Sequence, residues 1–351
     1  MFKNAQQKYN FITFLLSVIF SLIGSEMLLR ILQLGYNNAP INPSRTSHHE
    51  HPYNFKFTSY SPQGEWDNFL IEYDEFGNRV IEKNCEVNEL DNRYDIVFIG
   101  DSFTETAQVN NSESFPGIVQ NELCNTGAII HNFGVSSYSP VLSFAHLIQQ
   151  NHYNYKLKLV KGSKIIHFLF ENDIKNDNEY SKLISSVNIK NKNFLVVDNN
   201  QKLNLLKKAS RNSYLIRFIR RVQLTFSEIS KTNFVLDNES IKKTNFQISN
   251  ICEKNTVEMK QTKLFIKKIN DFANSKNVEY ILSAIPHNSE RFENTNYGCF
   301  KKLASDLNIK FIESPNVFFT NPGEFYFKKD IHLNSKGNSV LANQIINYLK
   351  K

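Results

Sequence analysis

The chain has 351 residues, 41% of them hydrophobic and 13% aromatic, enough to bury one large core or a core plus a long insertion. Its net charge of +7 favours anionic surroundings such as lipid headgroups or acidic glycans. The lysines are scattered and form no compact basic stripe interleaved with aromatics, which argues against nucleic acid as a partner. A solvated lysine-rich surface is the simpler reading.

Residues 11–25 are uncharged and mostly apolar; Glu26 interrupts the run, and Met27-Leu28-Leu29 resumes it before Arg30. A membrane span needs roughly 20 apolar residues, about the length from Phe11 to Leu29. Residues 1–35 are therefore read as an N-terminal transmembrane anchor that meets the membrane through residues 11–34. Lys3 and Lys8 precede the span, which places the N-terminus in the cytoplasm and the remainder on the exported, periplasmic or extracellular, side of the cell membrane. A cleaved signal peptide is the alternative, although no clean Ala-x-Ala site follows Ser21 or Gly24-Ser25. Export makes disulfides the expected state of Cys85, Cys124, Cys252 and Cys299. Pairing of neighbours, Cys85 with Cys124 and Cys252 with Cys299, is the arrangement expected; four buried thiols are the alternative. Their spacing matches no zinc motif.

Residues 36–92 read as a linker and irregular lead-in. The tract His48-His49-Glu50-His51 suggests a metal site in isolation, but Pro52 argues against a helix that would place two histidines on one face, and a solvated loop is expected. Trp66, Phe69 and Tyr73 are expected to pack on the main domain, and Phe76-Gly77-Asn78-Arg79 marks a turn.

From residue 93 to 351 strand and helix alternate. Apolar runs at 94–99, 128–133, 164–170, 278–285 and 309–312 predict five strands. Helices are predicted over 114–123, from Ser139-Pro140 through Ile148, and over 257–275, 301–307 and 335–349. Buried strands separated by helices imply a parallel sheet covered on both faces. The fold class is thus α/β, a three-layer flavodoxin-like sandwich with a five-stranded parallel sheet. Residues 174–255, polar and rich in Asn and Lys with amphipathic stretches such as 214–219, form an insertion placed to act as a lid or a partner surface.

In such sheets sites lie beyond the carboxyl ends of the strands. Ser102 follows the first strand in Gly100-Asp101-Ser102-Phe103, where helix-start N–H groups could stabilise an oxyanion. Alone, the motif reads equally as a helix cap. Asn172-Asp173 ends the third strand, where an amide could donate to an oxyanion or simply form a turn. In Asp330-Ile331-His332 the two polar side chains point to one side of extended chain. His332 could take a serine proton while Asp330 fixes its tautomer.

Together these blocks resemble the SGNH hydrolase superfamily, the GDSL-type esterases. That family carries Gly-Asp-Ser after its first strand, a small-residue block after its second, Gly-x-Asn-Asp after its third, and Asp-x-x-His near its C-terminus. Ser102 matches the nucleophile and His332 the base. Lys329 stands three residues before His332, so the acid is carried over to Asp330, in an Asp-x-His-Leu form seen in many family members. The second block is 132–137, where the family's oxyanion glycine aligns with Ser137 or, alternatively, with Gly134. Phe170 stands where the third block begins with glycine, and Asn172 is retained. The resemblance covers about 94–173 and 257–349.

The resemblance implies an exported serine esterase that removes O-acyl groups, acetyl foremost, from envelope or extracellular glycans or from small esters. Ser102, Asp330 and His332 would be catalytic, with Ser102, Ser137 and Asn172 forming the oxyanion hole around an acyl-serine. No metal or organic cofactor is required. The same site could serve an O-acyltransferase that modifies a surface polysaccharide alongside envelope polysaccharide machinery. A catalytically silent binding protein is a third reading, favoured by Phe170 and Ser137.

Overall fold

The structure is a computed structural model that describes residues 5–32, 34, 39–61, 63–82, 93–154, 157–189, 192–197, 213–234, 257–288 and 296–351. Helix α1 (Ala5–Ile31) is long and apolar enough to cross a membrane, and an 18-residue stretch within it has a mean hydropathy of 2.1. Most of its described side chains are exposed. Its C-terminal end is seated by Leu29, which is buried in a small cluster with Phe57, Ile71, Tyr73, Ala107 and Tyr214.

Two short antiparallel pairs follow: β1 (Asn42–Pro43) with β2 (His49–Glu50), and β3 (Phe55–Ser59) with β4 (Phe69–Tyr73). Alternation dictates the second pair. Phe57, Ser59, Ile71 and Tyr73 turn inward, while Lys56 and Leu70 face water. Asp74 then makes an Asx turn, its Oδ1 accepting from Phe76 N and Asn78 N at 2.8 Å each, with Gly77 at φ +78. Residues 39–61 and 63–82 thus form a layer packed against the main domain. The histidine tract is not the solvated loop expected from its polarity: His49 and His51 are only 7% and 1% exposed. Their ring nitrogens meet main-chain carbonyls, His49 Nε2 to Ser136 O at 2.7 Å and His51 Nδ1 to Pro40 O at 2.8 Å, so burial leaves them bonded. His51 also stacks flat on Tyr73.

The main domain runs β5 (Tyr94–Gly100), α2 (Ser102–Glu105), α3 (Phe115–Leu123), β6 (Ala128–Gly134), α4 (Pro140–Gln149), β7 (Lys164–Leu169) and α5 (Asp173–Ser181). The hairpin β8 (Ile184–Ile189) and β9 (Lys192–Val197) and the helix α6 (Tyr214–Phe234) follow α5, within the stretch 174–255. The domain resumes with α7 (Val257–Ser275), β10 (Glu279–Ala284), α8 (Asn296–Asp306), β11 (Lys310–Ile312) and α9 (Ser335–Leu349). The strand order is β11-β10-β7-β5-β6, and all pairs within it are parallel. Among these five strands this is the 2-1-3-4-5 order of a flavodoxin-like sheet. β5, β6 and β7 are buried almost throughout, which is why they read as unbroken apolar runs. Helix α3 packs on α9, and α4 on α7, giving the two outer layers.

Local chemistry sets the helix starts. Ser114 caps α3, its Oγ accepting from Gly117 N at 3.2 Å, and Pro140 opens α4. Helix α8 begins earlier than the predicted 301–307, because Tyr297 and Phe300 turn into the core. Cys124 and Cys299 are both disulfide-bonded, so neither is the thiol of the alternative reading. Cys85 and Cys252 lie outside the described residues, and the expected pairing with them.

Candidate active site

Strand β5 ends at Gly100, with φ +148. A Cβ there would lie 2.3 Å from Thr104 Oγ1 and 2.5 Å from Phe168 O, so the turn into α2 admits only glycine. Asp101 caps α2, its Oδ1 accepting from Phe103 N at 2.9 Å. Burial pushes the Asp101 carboxyl up to about 6. With Asp101 and Phe103 turned inward, Ser102 is left half-exposed at the carboxyl edge of the sheet.

His332 reaches Ser102 from the loop before α9. His332 Nε2 lies 2.7 Å from Ser102 Oγ, and His332 Nδ1 lies 2.5 Å from Asp330 Oδ1. The same Asp330 oxygen accepts from the His332 main-chain N–H at 2.9 Å. With Nδ1–H donated to the carboxylate, Nε2 presents a lone pair to the serine hydroxyl. Burial pushes the Asp330 carboxyl up, but the hydrogen bond and charge of His332 outweigh it and hold the group below the usual carboxylate range. The ring of Phe103 packs 4.7 Å from that of His332, and Phe170 packs 4.3 Å behind Phe103. Phe170 therefore fills space behind the imidazole.

The loop that carries Asp330 is held by Glu65. Its carboxylate accepts from Lys328 N at 2.6 Å, Lys329 N at 2.9 Å and Asp330 N at 2.9 Å. Trp66 beside it packs at a tilt against Phe327, with ring centroids 5.1 Å apart.

Ser137 takes a left-handed backbone, φ +66, which a non-glycine residue adopts at a cost of about 1–2 kcal/mol. Three side chains hold its loop. Glu105 Oε2 accepts from Ser136 N at 3.2 Å and Ser136 Oγ at 2.9 Å, His49 Nε2 donates to Ser136 O at 2.7 Å, and Tyr180 OH donates to Ser137 O at 3.3 Å. Gly134 does a different job. Its N–H donates to Asn132 Oδ1 at 3.0 Å, and a Cβ on it would lie 2.4 Å from Glu105 N, so it permits close approach of β6 to α2.

Glu105 is fully buried and sits between several donors. Its Oε1 accepts from Tyr73 OH at 2.6 Å and faces His51 Nε2 at 3.3 Å. Burial pushes its carboxyl up, yet the charge and hydrogen bond of His51, with Tyr73 and Ser136, overcome this and leave it at about 2. For His51, burial acts downward and the Glu105 charge more than reverses it, so its net shift is upward. Both shifts favour the charged form of the pair. Arg79, also buried, bonds the carbonyls of Glu105 at 2.7 Å and Val109 at 2.9 Å and so fixes the chain leaving α2.

A cavity of about 310 Å³ is lined by Ser102, Ser137, Asp330, His332, Trp66 and Ile41, among others. Of the residues singled out in the sequence, Ser102, Ser137, Asp330 and His332 meet there. Asn172, at the N-terminus of α5, is not one of the lining residues; its Oδ1 is buried without a hydrogen-bond partner among the described residues. Glu65, Arg79, Glu105, His49 and His51 escaped the sequence reading. The histidine tract was the one signal for the last two. Among the described residues, no group of three or more His, Cys, Asp or Glu is placed to hold a metal ion.

No family model matches the chain, and no curated protein matches it. Solved structures do. A member of the lipolytic protein G-D-S-L family from Veillonella parvula DSM 2008 is 12% identical, covers 74% of this chain and 99% of its own, and gives a TM-score of 0.37. A catalytic mutant of an acetylxylan esterase from Geobacillus stearothermophilus is 11% identical, with coverages of 75% and 97% and a TM-score of 0.42. An acetyl xylan esterase, AlAXEase, is 14% identical, with coverages of 72% and 98% and a TM-score of 0.38. At these identities and scores the likeness carries no functional weight, and the reading below rests on side-chain geometry.

Proposed function

We propose that this chain is a serine esterase of the SGNH type. The observation that carries the reading is the hydrogen-bonded series Ser102–His332–Asp330 at the carboxyl edge of a parallel sheet. Ser102 Oγ attacks the ester carbonyl as His332 Nε2 takes its proton, and Asp330 stabilises the imidazolium. The oxyanion of the tetrahedral intermediate is received by the N–H groups of Ser102 and Ser137 and by the amide of Asn172. The intermediate collapses by breaking the ester C–O bond, and His332 returns the proton to the departing alcohol. Water, deprotonated by His332, then attacks the acyl-serine and releases the acid and free Ser102.

The substrate we infer is an acylated glycan. The cavity at Ser102 has room for a short acyl group. It shares Trp66 and Gln108 with a larger groove of about 730 Å³. That groove is lined by polar groups of Asp67, Asn68 and Asn110 beside the rings of Trp66 and Phe327. Flat aromatic faces among amides and carboxylates suit a sugar chain, which presents both C–H faces and hydroxyls. We further infer that α1 anchors the protein in the cell membrane, with residues 36–351 on the exported side and envelope polysaccharide as the substrate within reach.

Hydrolysis of p-nitrophenyl acetate and release of acetate from acetylated oligosaccharides by the full-length protein test this reading. Turnover is expected, with Ser102→Ala and His332→Ala each reducing kcat by about 10³-fold or more. Equal rates in the wild type and Ser102→Ala would refute it. Transfer of acetyl to an added oligosaccharide in preference to water would identify the acyltransferase instead.

A further inference from the structure

Helix α6 has two dissimilar faces. Tyr214, Phe218, Arg221 and Thr225 turn inward at three- and four-residue spacing. Tyr214 is buried in the cluster that seats Leu29, with Phe218 packed against it. The Arg221 guanidinium lies 3.5 Å over the Tyr60 ring, and the Thr225 hydroxyl bonds that of Tyr60. An outward stripe beside that face carries Ile216, Ile219, Val222 and Phe226, with Phe226 65% exposed and Ile219 49%, while the side directly opposite the inward residues carries the exposed Arg220, Gln223 and Ser227. On a helical wheel the four residues of the stripe fall within an arc of roughly 120°. A helix packed on a soluble domain keeps polar residues on that side, so this stripe calls for an apolar partner.

The neighbour of α6 says which. Its N-terminus is capped by a side chain of α1: the Glu26 carboxylate accepts from Ser213 Oγ at 2.9 Å, Tyr214 N at 3.1 Å and Leu215 N at 2.9 Å. Arg30 pairs with the same carboxylate at 2.7 Å and lies 5.2 Å over the Tyr214 ring. Glu26 and Arg30 stand at the end of the apolar run, the level at which a span leaves hydrocarbon for headgroups. Helix α6 therefore starts at headgroup depth. Met27, Leu28 and Ile31, at the end of α1 that carries Glu26 and Arg30, are exposed as well. Arg220, exposed and bordering the stripe, supplies positive charge for lipid phosphates.

We propose that α6 is an interfacial helix that lies on the bilayer surface beside the span, with Ile219, Val222 and Phe226 among the acyl chains and Arg220 at anionic headgroups. This rests on reading α1 as a membrane span. Span and interfacial helix together attach the domain at two points and so set its orientation. Ala107 belongs both to the cluster that seats Leu29 and to the wall of the catalytic cavity. The cavity is accordingly held at a fixed height close to the membrane, where it meets substrates presented at that surface.

The test places the photo-crosslinker p-benzoylphenylalanine at Ile219, Val222 or Phe226 of the full-length protein in vesicles of phosphatidylcholine and phosphatidylglycerol. Leu22, inside the span, and Lys350, which pairs with Glu122 at the sheet edge opposite Ser102, serve as controls. Lipid adducts are expected at the three α6 positions and at Leu22, with none at Lys350. A second substitution, Phe226→Asp, is expected to lower the adduct yield at Ile219 roughly tenfold while leaving ester turnover unchanged. Adducts at Leu22 but none on α6 would overturn the interfacial helix and leave the anchor standing. No lipid adduct at Leu22 or on α6 would remove the anchor reading and the proposal with it. Crosslinks from α6 to a second copy of the chain would assign the stripe to self-association and overturn the proposal.

Discussion

Glu105 Oε2 receives both polar groups of Ser136, the main-chain N–H at 3.2 Å and the hydroxyl at 2.9 Å. Glu105 lies on α2, the helix that begins at Ser102. One buried carboxylate thus ties the nucleophile's helix to the loop of Ser137, and its other oxygen ties both to Tyr73 and His51 of the preceding layer.

Glu105→Gln keeps the shape of this junction and removes its charge. We expect kcat for ester hydrolysis to fall about 10–100-fold with little change in KM, because a displaced oxyanion donor acts on the transition state. Glu105→Ala leaves His51 buried and unpaired and should destabilise the fold by about 3–5 kcal/mol in urea denaturation. An unchanged kcat in a folded Glu105→Gln variant would separate this carboxylate from the oxyanion loop.

The same pair gives a pH signature. Glu105 has a lowered folded pKa, about 2 against an ordinary 4.5, so its contribution is complete above 4.5 and is lost as pH falls towards 2. His51 has a raised folded pKa, so its contribution is complete below the ordinary 6.5 and is lost as pH rises through the higher folded value. The stability difference between wild type and Glu105→Gln should therefore be largest from 4.5 to 6.5 and shrink on both sides. Thermal melts across pH check this; a difference independent of pH would show that the pair is not charged.

Ser137→Gly tests the left-handed backbone. Glycine relieves about 1–2 kcal/mol of strain and loses about 0.4–1 kcal/mol through the freer unfolded chain. The net expectation is a gain of between zero and about 1.6 kcal/mol with activity retained, measured by denaturant titration. Ser137→Val, branched at Cβ, should lose stability and activity together.

Glu65→Ala removes the acceptor shared by Lys328, Lys329 and Asp330. Water can reach this partly exposed site, so the stability loss should be only about 1–2 kcal/mol. The Asp330 loop loosens, and kcat should fall about tenfold. Glu65→Gln, which still accepts, should recover much of the rate.

Much of the sheet was legible because its strands are buried on both faces: runs such as 94–99 admit no other placement. The series around Ser102 was legible because Gly100-Asp101-Ser102 and Asp330-Ile331-His332, each weak alone, together resemble the motif blocks of one family. The polar layer behind it was not. Glu65 meets Asp330 across 265 positions and His49 meets Ser136 across 87, and no local period marks such pairs. Nothing in the sequence around Glu105 marks it as the buried partner of Tyr73, His51 and Ser136. The histidine tract read as solvated because polarity suggests exposure, whereas here each buried ring has a carbonyl or a carboxylate to meet.

The central claim, that His332 activates Ser102 as a nucleophile, is tested most directly by reacting the full-length protein with a fluorophosphonate and locating the adduct by mass spectrometry. One phosphonyl group on Ser102 is expected, with labelling slowed about 10³-fold or more in His332→Ala. Labelling at another serine, or at the same rate without His332, would contradict the account.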